Sequence, residues 1–433
     1  MLNCDEGAYK EFAPRRKTTM DKKVIVANYR YHITGGPEVY MFKFLDKCGS
    51  IGYKGIPFSV RYSVNEPTEY SKYFISSRSG DSVYYDSIKK TPSAIIKTLQ
   101  GAFYNPETVR NINKLIDDEN PEVLYALQVI NTLSPSIFKA AKKRGLKVVH
   151  RISDFNLVCP RSDLLRGTDT CNECVCGDLK KCIEHRCYHD SKAASMIRAY
   201  SMMYHRWKKL YKYVDYFVTP TDFTRYKLIE GGFPAEKVVT IPTFIDADAI
   251  TPNYENYDYL LFLGRTVKEK GLIYAVEAMK HLAEYPDLKL KITGNYEDQD
   301  PEVKEFIEAN NLSDRIQFTG FVRGESLTNL ISNAMCVLCP AIWYENMPNT
   351  VIEAFAYGKP VIASNFGCFP ELITDGTDGY LFEPKNPQDL ASKVKLLLAD
   401  ESYRELGKNA RRKVEEVFNP EQHFEKLKKI FEL

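Results

Sequence analysis

Residues 337–364, VLCPAIWYENMPNTVIEAFAYGKPVIAS, constrain the fold of this 433-residue chain more than any other stretch. The apolar run Val337 to Cys339 reads as a buried strand that leads into a polar loop carrying Glu345. Pro348 suits the first position of a helix and Gly358 the position just past its end, so a short helix is expected between them. Val361, Ile362 and Ala363 then start a second buried strand. Strand, loop, helix and strand make a βαβ unit, which requires a parallel sheet and puts the loop at its carboxyl edge, where α/β folds bind ligands. The backbone amides of Met347, Asn349 and Thr350 are expected to point out of the helix N-terminus, a ready place for phosphate.

Two carboxylates flank those amides, Glu345 before the helix and Glu353 within it. Helical side chains tilt toward the N-terminus, so Glu353 is placed to reach a ligand seated there. Two acids beside a phosphate site make electrostatic sense if they face hydroxyl groups next to the phosphate, as in a nucleotide sugar. Further along the same expected sheet edge, the strand Tyr259 to Leu263 ends in Gly264, Arg265 and, five residues on, Lys270. Two cations in one loop can neutralise a diphosphate and stabilise it as it leaves. Near the N-terminus, Gly35 and Gly36 lie between the strand 24–27 and a helix-like segment 37–46; they bring backbone close to a ligand or form an ordinary turn.

Glu345, seven residues, Glu353, Ala354 and Gly358-Lys359-Pro360-Val361 resemble the E-x7-E signature of the retaining family-4 glycosyltransferases. The resemblance runs over roughly 259–400, more faintly over 23–50 and 148–245. It implies an α/β chain with two Rossmann-like domains facing across a cleft, the GT-B arrangement. The domains would be residues 1–245 on the acceptor side, 246–415 on the nucleotide-sugar side, and a helix at 416–433 crossing back to the first. It further implies sugar transfer with retention and no catalytic metal. The donor is a nucleoside diphosphate sugar, UDP favoured slightly over GDP, and the acceptor a glycan or lipid-linked saccharide of surface polysaccharide synthesis. In these terms Arg265 and Lys270 hold the diphosphate, Glu345 faces the donor sugar, Glu353 the ribose, and the Gly35-Gly36 loop closes over the donor. Asp154 is carried over as a catalytic residue. The histidine that many members have before it is Ser153 here, with His150 three residues earlier on the strand. Gly320-Phe321-Val322 resembles the base-binding turn, Glu371 is a weaker pocket residue, and Cys368 stands where a glycine is usual. Two rival functions are a sugar-nucleotide epimerase on the same fold and a non-catalytic scaffold.

Composition excludes some classes. With 59 Lys plus Arg against 57 Asp plus Glu, the chain lacks the basic excess of a nucleic-acid binder. No run has the length of a signal peptide or membrane span, so a cytoplasmic protein with reduced or metal-bound cysteines is expected. Six of the 11 cysteines fall between 159 and 190. Cys171-x2-Cys174 is a zinc-type pair, and Cys159, Cys171, Cys174 and Cys187 are the expected structural ligands, with Cys176 and Cys182 as rivals and reduced thiols as the alternative. Cys336 and Cys339 lie in an apolar strand and read as buried thiols. Residues 191–213 mix Met202, Met203, Trp207 and Tyr211 with Arg198, Arg206, Lys208, Lys209 and Lys212. That pattern suits either peripheral contact with an anionic membrane, at the inner face of the plasma membrane, or packing on the first sheet. Tyr62, Tyr70, Tyr73, Tyr84 and Tyr85 likewise suit either an acceptor surface or core packing.

Overall fold

The computed structural model describes residues 22–77, 92–130, 132–255, 259–399 and 403–433. The N-terminal tail before Lys22, Tyr84 and Tyr85 lie outside them. The strands of the first half are β1 (Lys22–Ala27), β2 (Tyr53–Phe58), β3 (Val60–Arg61), β4 (Ile75–Ser76), β5 (Val123–Ala126), β6 (Lys147–Arg151), β7 (Leu165–Arg166), β8 (Asp169–Thr170), β9 (Tyr216–Thr219) and β10 (Val238–Thr240). Those of the second are β11 (Tyr259–Phe262), β12 (Lys289–Ile292), β13 (Ile316–Phe318), β14 (Cys336–Cys339), β15 (Val361–Ser364) and β16 (Gly379–Phe382).

Two six-stranded parallel sheets result, ordered β10-β9-β6-β5-β1-β2 and β13-β12-β11-β14-β15-β16. Strands such as β5, β11 and β15 are buried at every residue, because both sheet faces are covered. In each sheet the strand order reverses, beside β1 in the first and beside β11 in the second. At such a switch point neighbouring loops leave in opposite directions and open a crevice. The register of β11 on β14 pairs Phe262 with Leu338, so the loops after these strands emerge side by side. One carries Arg265 and Lys270, the other Glu345.

The crossovers are helical. Helices α1 (Gly36–Lys47), α2 (Pro92–Phe103), α3 (Pro106–Glu119), α4 (Ser136–Lys143), α5 (Lys180–Glu184), α6 (Lys192–Trp207) and α7 (Asp222–Glu230) belong to the first half. Helices α8 (Leu272–Lys280), α9 (Pro301–Ala309), α10 (Gly324–Ser332), α11 (Asn349–Ala356), α12 (Phe369–Leu372), α13 (Pro387–Ala399), α14 (Tyr403–Val417) and α15 (Pro420–Glu432) follow. The last returns to the first sheet: Phe424, Leu427, Ile430 and Phe431 are buried with Val24, Val26 and Phe44. Burying four such side chains is worth on the order of 8 kcal/mol. His423 fixes the helix start, with its ring nitrogens on the Pro242 carbonyl (2.7 Å) and the Tyr40 hydroxyl (2.9 Å).

Several open readings resolve at this level. Tyr70 and Tyr73 are buried in the first core, so packing explains them. His150 is no cleft residue: its ring lies against Phe138, Nδ1 bonds the Ala126 carbonyl at 3.0 Å, and burial pulls its pKa down to about 4. Cys336 and Cys339 pack on opposite faces of β14, and burial raises both thiols. In α6, Arg198, Met202 and His205 pack inward while Met196, Tyr200, Met203 and Trp207 stay exposed.

The cysteine module gives no support to the expected zinc site of Cys159, Cys171, Cys174 and Cys187: among the described residues no group of three His, Cys, Asp or Glu side chains that could hold a metal ion is found. Instead Cys174 and Cys182 sit in a small apolar cluster with Leu179, Ala199 and Met202, with Cys187 against it. Burial pushes the Cys174 and Cys182 thiols up to about 12.

Candidate active site

A cleft of about 520 Å³ lies between the carboxyl edges of the two sheets, the size of a small-molecule site. The C-terminal wall is made by the loops after β11 and β14 and by the start of α11. Pro348 is the N-cap of this helix, one residue outside the position the sequence suggests, and Asn349 and Thr350 begin it. Gly358, just past the end, has φ +74°, and a Cβ there would press on Tyr254 at 2.7 Å; glycine is required. Gly271 has φ +70°, and its Cβ would collide with the Pro340 carbonyl, so the two loops are locked against each other.

Glu345 is the fixed point of this wall. Its Oε1 accepts from Lys270 Nζ at 2.6 Å and from the Trp343 indole at 2.7 Å, with the side chain about nine-tenths buried. Arg265 is exposed and lines the same cleft without a hydrogen bond or ion pair among the described residues. Gly264 beside it has φ +143° and donates its amide to Thr293 Oγ1 at 3.0 Å. Met347, Asn349 and Thr350 line the cleft; Glu353 does not, standing half-buried on the flank of α11 that feels Lys43 of α1. Burial raises the Glu353 pKa, and Lys43 lowers it in part.

The N-terminal wall comes from the loops after β1, β5 and β6. Gly35 and Gly36 arch over the start of α11, and a Cβ on Gly36 would lie 3.1 Å from Asn349 Nδ2. Asp154 lines the cleft half-buried; desolvation pushes its pKa up to about 6, against the Asn156 amide that bonds its Oδ1 at 2.9 Å. Around it stand Arg30, Glu38, Gln128, Arg151 and Ser153.

The sequence reading missed Trp343, whose indole completes the Glu345 cradle, and the groups tying the two halves together. Asn346 accepts from Thr224 Oγ1 at 2.7 Å and donates to the Ile152 carbonyl at 3.1 Å. Glu371 is a tie of the same kind: it accepts from the amides of Asp222 (2.7 Å) and Phe223 at the start of α7 and lies outside the cleft lining. Its place after a Gly-Cys turn gave no hint of this.

Residues 244–413 match the model of the family described as Glycosyl transferases group 1. The match covers well under half of the chain. It holds the whole C-terminal wall: Arg265, Lys270, Glu345, Glu353 and the start of α11. An uncharacterized glycosyltransferase of Methanocaldococcus jannaschii, MJ1607, is 32% identical over 161 residues, 37% of this chain and 41% of its own length. The chain thus spans less than half of that curated relative. Among solved structures, sucrose-phosphate synthase from Thermosynechococcus elongatus superposes with a TM-score of 0.67 at 18% identity, covering 95% of this chain and 98% of that one. The Anabaena protein Alr3699/HepE, solved in complex with UDP, gives 0.64 at 14% identity, over 94% and 98%. These likenesses over nearly the whole chain show the fold alone: two Rossmann-like halves across a cleft, the GT-B arrangement.

Proposed function

We propose that this chain transfers a hexose from a nucleoside diphosphate sugar to a glycan or lipid-linked saccharide, with retention at the anomeric carbon and without a catalytic metal. One observation carries the reading: a cation pair, a helix start and a buried, doubly bonded carboxylate converge on one wall of an interdomain cleft. Arg265 and Lys270 meet the diphosphate together with the first amides of α11, and their charge stabilises it as the bond to the sugar breaks. Glu345, held by Lys270 and Trp343, presents its second oxygen to hydroxyls of the donor sugar. The Gly35-Gly36 loop closes from the other side, and Asp154 orients the acceptor. UDP is the favoured base; the UDP-bound Anabaena structure of the same fold supports that choice.

The acceptor side supports surface-glycan work at a membrane. Met196, Tyr200, Met203 and Trp207 recur at helical spacing along one exposed face of α6, which carries no acidic residue. Lys208 Nζ lies 3.9 Å from the Trp207 ring centre, so cations border the apolar stripe. Such a face suits an anionic bilayer surface, and no described helix is long and apolar enough to cross one. Sedimentation with vesicles rich in anionic lipid should carry the wild type down and leave Trp207→Ser in solution; equal sedimentation contradicts the membrane assignment.

The transfer reading is tested by incubating the chain with UDP- and GDP-hexoses and a saccharide acceptor mixture. Release of nucleotide that depends on acceptor, and that Glu345→Ala abolishes, is expected. Acceptor-independent interconversion of the sugar nucleotide would instead favour an epimerase.

A further inference from the structure

Resting on the transferase reading, we propose that Arg151 binds an oxyanion, a phosphoryl or carboxylate group, from the N-terminal wall of the cleft. Arg151 ends β6 and is 96% buried at 4% exposure, yet it lines the cleft. Among the described residues no carboxylate forms an ion pair with it. Its guanidinium lies 3.8 Å from the Tyr40 ring centre, and Nη2 donates to Thr243 Oγ1 at 2.6 Å. Nε is buried without a partner. The acids nearby are engaged elsewhere: Glu38 is 3.9 Å from Arg30, and the charges felt by Asp154 are those of Arg198 and Asp163. The other buried arginines differ. Arg198 donates to the Pro160 and Asn156 carbonyls, and Arg411 donates to three carbonyls and pairs with Glu415.

A buried cation surrounded by neutral groups is costly unless a ligand supplies the missing charge. Thr243 and Met347, beside Arg151, sit where the linker meets the start of α11, since the Thr243 amide lies 3.2 Å from Met347 Sδ. Arg151 therefore faces the place assigned to the diphosphate from the side opposite Arg265. A planar fork with unused donors is the side chain that best reads an oxyanion. Two sources share this chemistry: the donor diphosphate and an acidic group on the acceptor.

The test titrates UDP and inorganic pyrophosphate into the full chain by calorimetry, for the wild type, Arg151→Gln, Arg151→Lys and Arg265→Ala. If the donor is the source, Arg151→Gln weakens both ligands at least tenfold, and Arg151→Lys recovers part of the loss. If the acceptor is the source, UDP binding is unchanged but Arg151→Gln loses the preference for a phosphorylated octyl hexoside over the neutral one in transfer assays. A folded Arg151→Gln chain that keeps both UDP affinity and acceptor preference overturns the proposal. If Arg265→Ala still loses UDP in that case, the transferase reading stands. Should the glutamine variant not fold, Arg151→Lys decides: it keeps the charge but loses the fork, so it should weaken either pyrophosphate binding or the preference for the phosphorylated acceptor, and a lysine variant that keeps both refutes the assignment. A wild type that binds neither ligand overturns both readings.

Discussion

The two walls of the cleft are built on opposite terms. On the C-terminal wall the buried carboxylate of Glu345 already has its partners, Lys270 at 2.6 Å and Trp343 at 2.7 Å. On the N-terminal wall Arg30 Nε, Glu38 Oε1, Gln128 Oε1, Arg151 Nε and Ser153 Oγ are all buried without a hydrogen-bond partner among the described residues. Native proteins rarely leave such groups unpaired, because each costs its desolvation. The contrast teaches that one wall is organised before any ligand arrives, whereas the other reaches its full bonding only with a ligand in place. Both suit a donor held by a fixed charge pattern and an acceptor selected by what completes the facing surface.

The largest expected break in that contrast is Lys270→Met. It strands the Glu345 carboxylate and removes a diphosphate cation, so transfer should fall about 10³-fold in initial-rate assays. Urea unfolding should also lose about 1–3 kcal/mol. Arg265→Ala separates ligand work from stability. With no hydrogen bond or ion pair to lose among the described residues, its unfolding midpoint should stay put while nucleotide affinity drops roughly tenfold to a hundredfold by calorimetry. A smaller effect, of opposite sign on stability, belongs to the other wall. Gln128→Met removes a stranded oxygen and should leave the ligand-free protein as stable as before, or up to about 1 kcal/mol more stable, while raising the KM for acceptor. Loss of stability there would mean that the oxygen is not stranded.

Acid should act mainly through the first sheet, α6 and the helix that returns to that sheet. Burial holds His150 and His205 down to about 4 and His423 down to about 3. The folded state resists protonating them and the unfolded chain does not, so their contribution is complete above about pH 6.5 and is lost as pH falls toward 4. Each gives up about 2 kcal/mol between pH 7 and 5. Asp154, raised to about 6, works the other way: its contribution is present at low pH and fades as pH rises through 6. Urea midpoints between pH 7 and 5 should therefore fall, and His423→Gln should flatten the slope. An unchanged slope would place acid sensitivity elsewhere.

The C-terminal wall was legible in the sequence because it is local. Arg265 and Lys270 lie in one loop and Glu345 to Gly358 in one strand-loop-helix, so spacing alone placed them at a common sheet edge. The N-terminal wall draws Arg30, Gln128 and Arg151 from the carboxyl ends of three strands spread over more than 120 residues, and only the pairing of β1, β5 and β6 brings them together. Glu353 shows a limit of helical geometry as a guide, since its tilt toward the helix start did not bring it into the cleft lining. The cysteine module shows a limit of spacing. Cys171-x2-Cys174 has the right interval for zinc, but Cys174 turns into an apolar cluster with Met202 of α6, a contact that no local pattern announces.

The most direct test of the account is a thermal-shift panel with UDP-, GDP-, ADP- and CDP-sugars on the wild type and Arg265→Ala. A ligand that binds only the folded state raises the midpoint. The account predicts a rise with one nucleotide series, UDP first, that Arg265→Ala abolishes. No rise with any of the four, or a rise that survives Arg265→Ala, would contradict a donor site on the C-terminal wall.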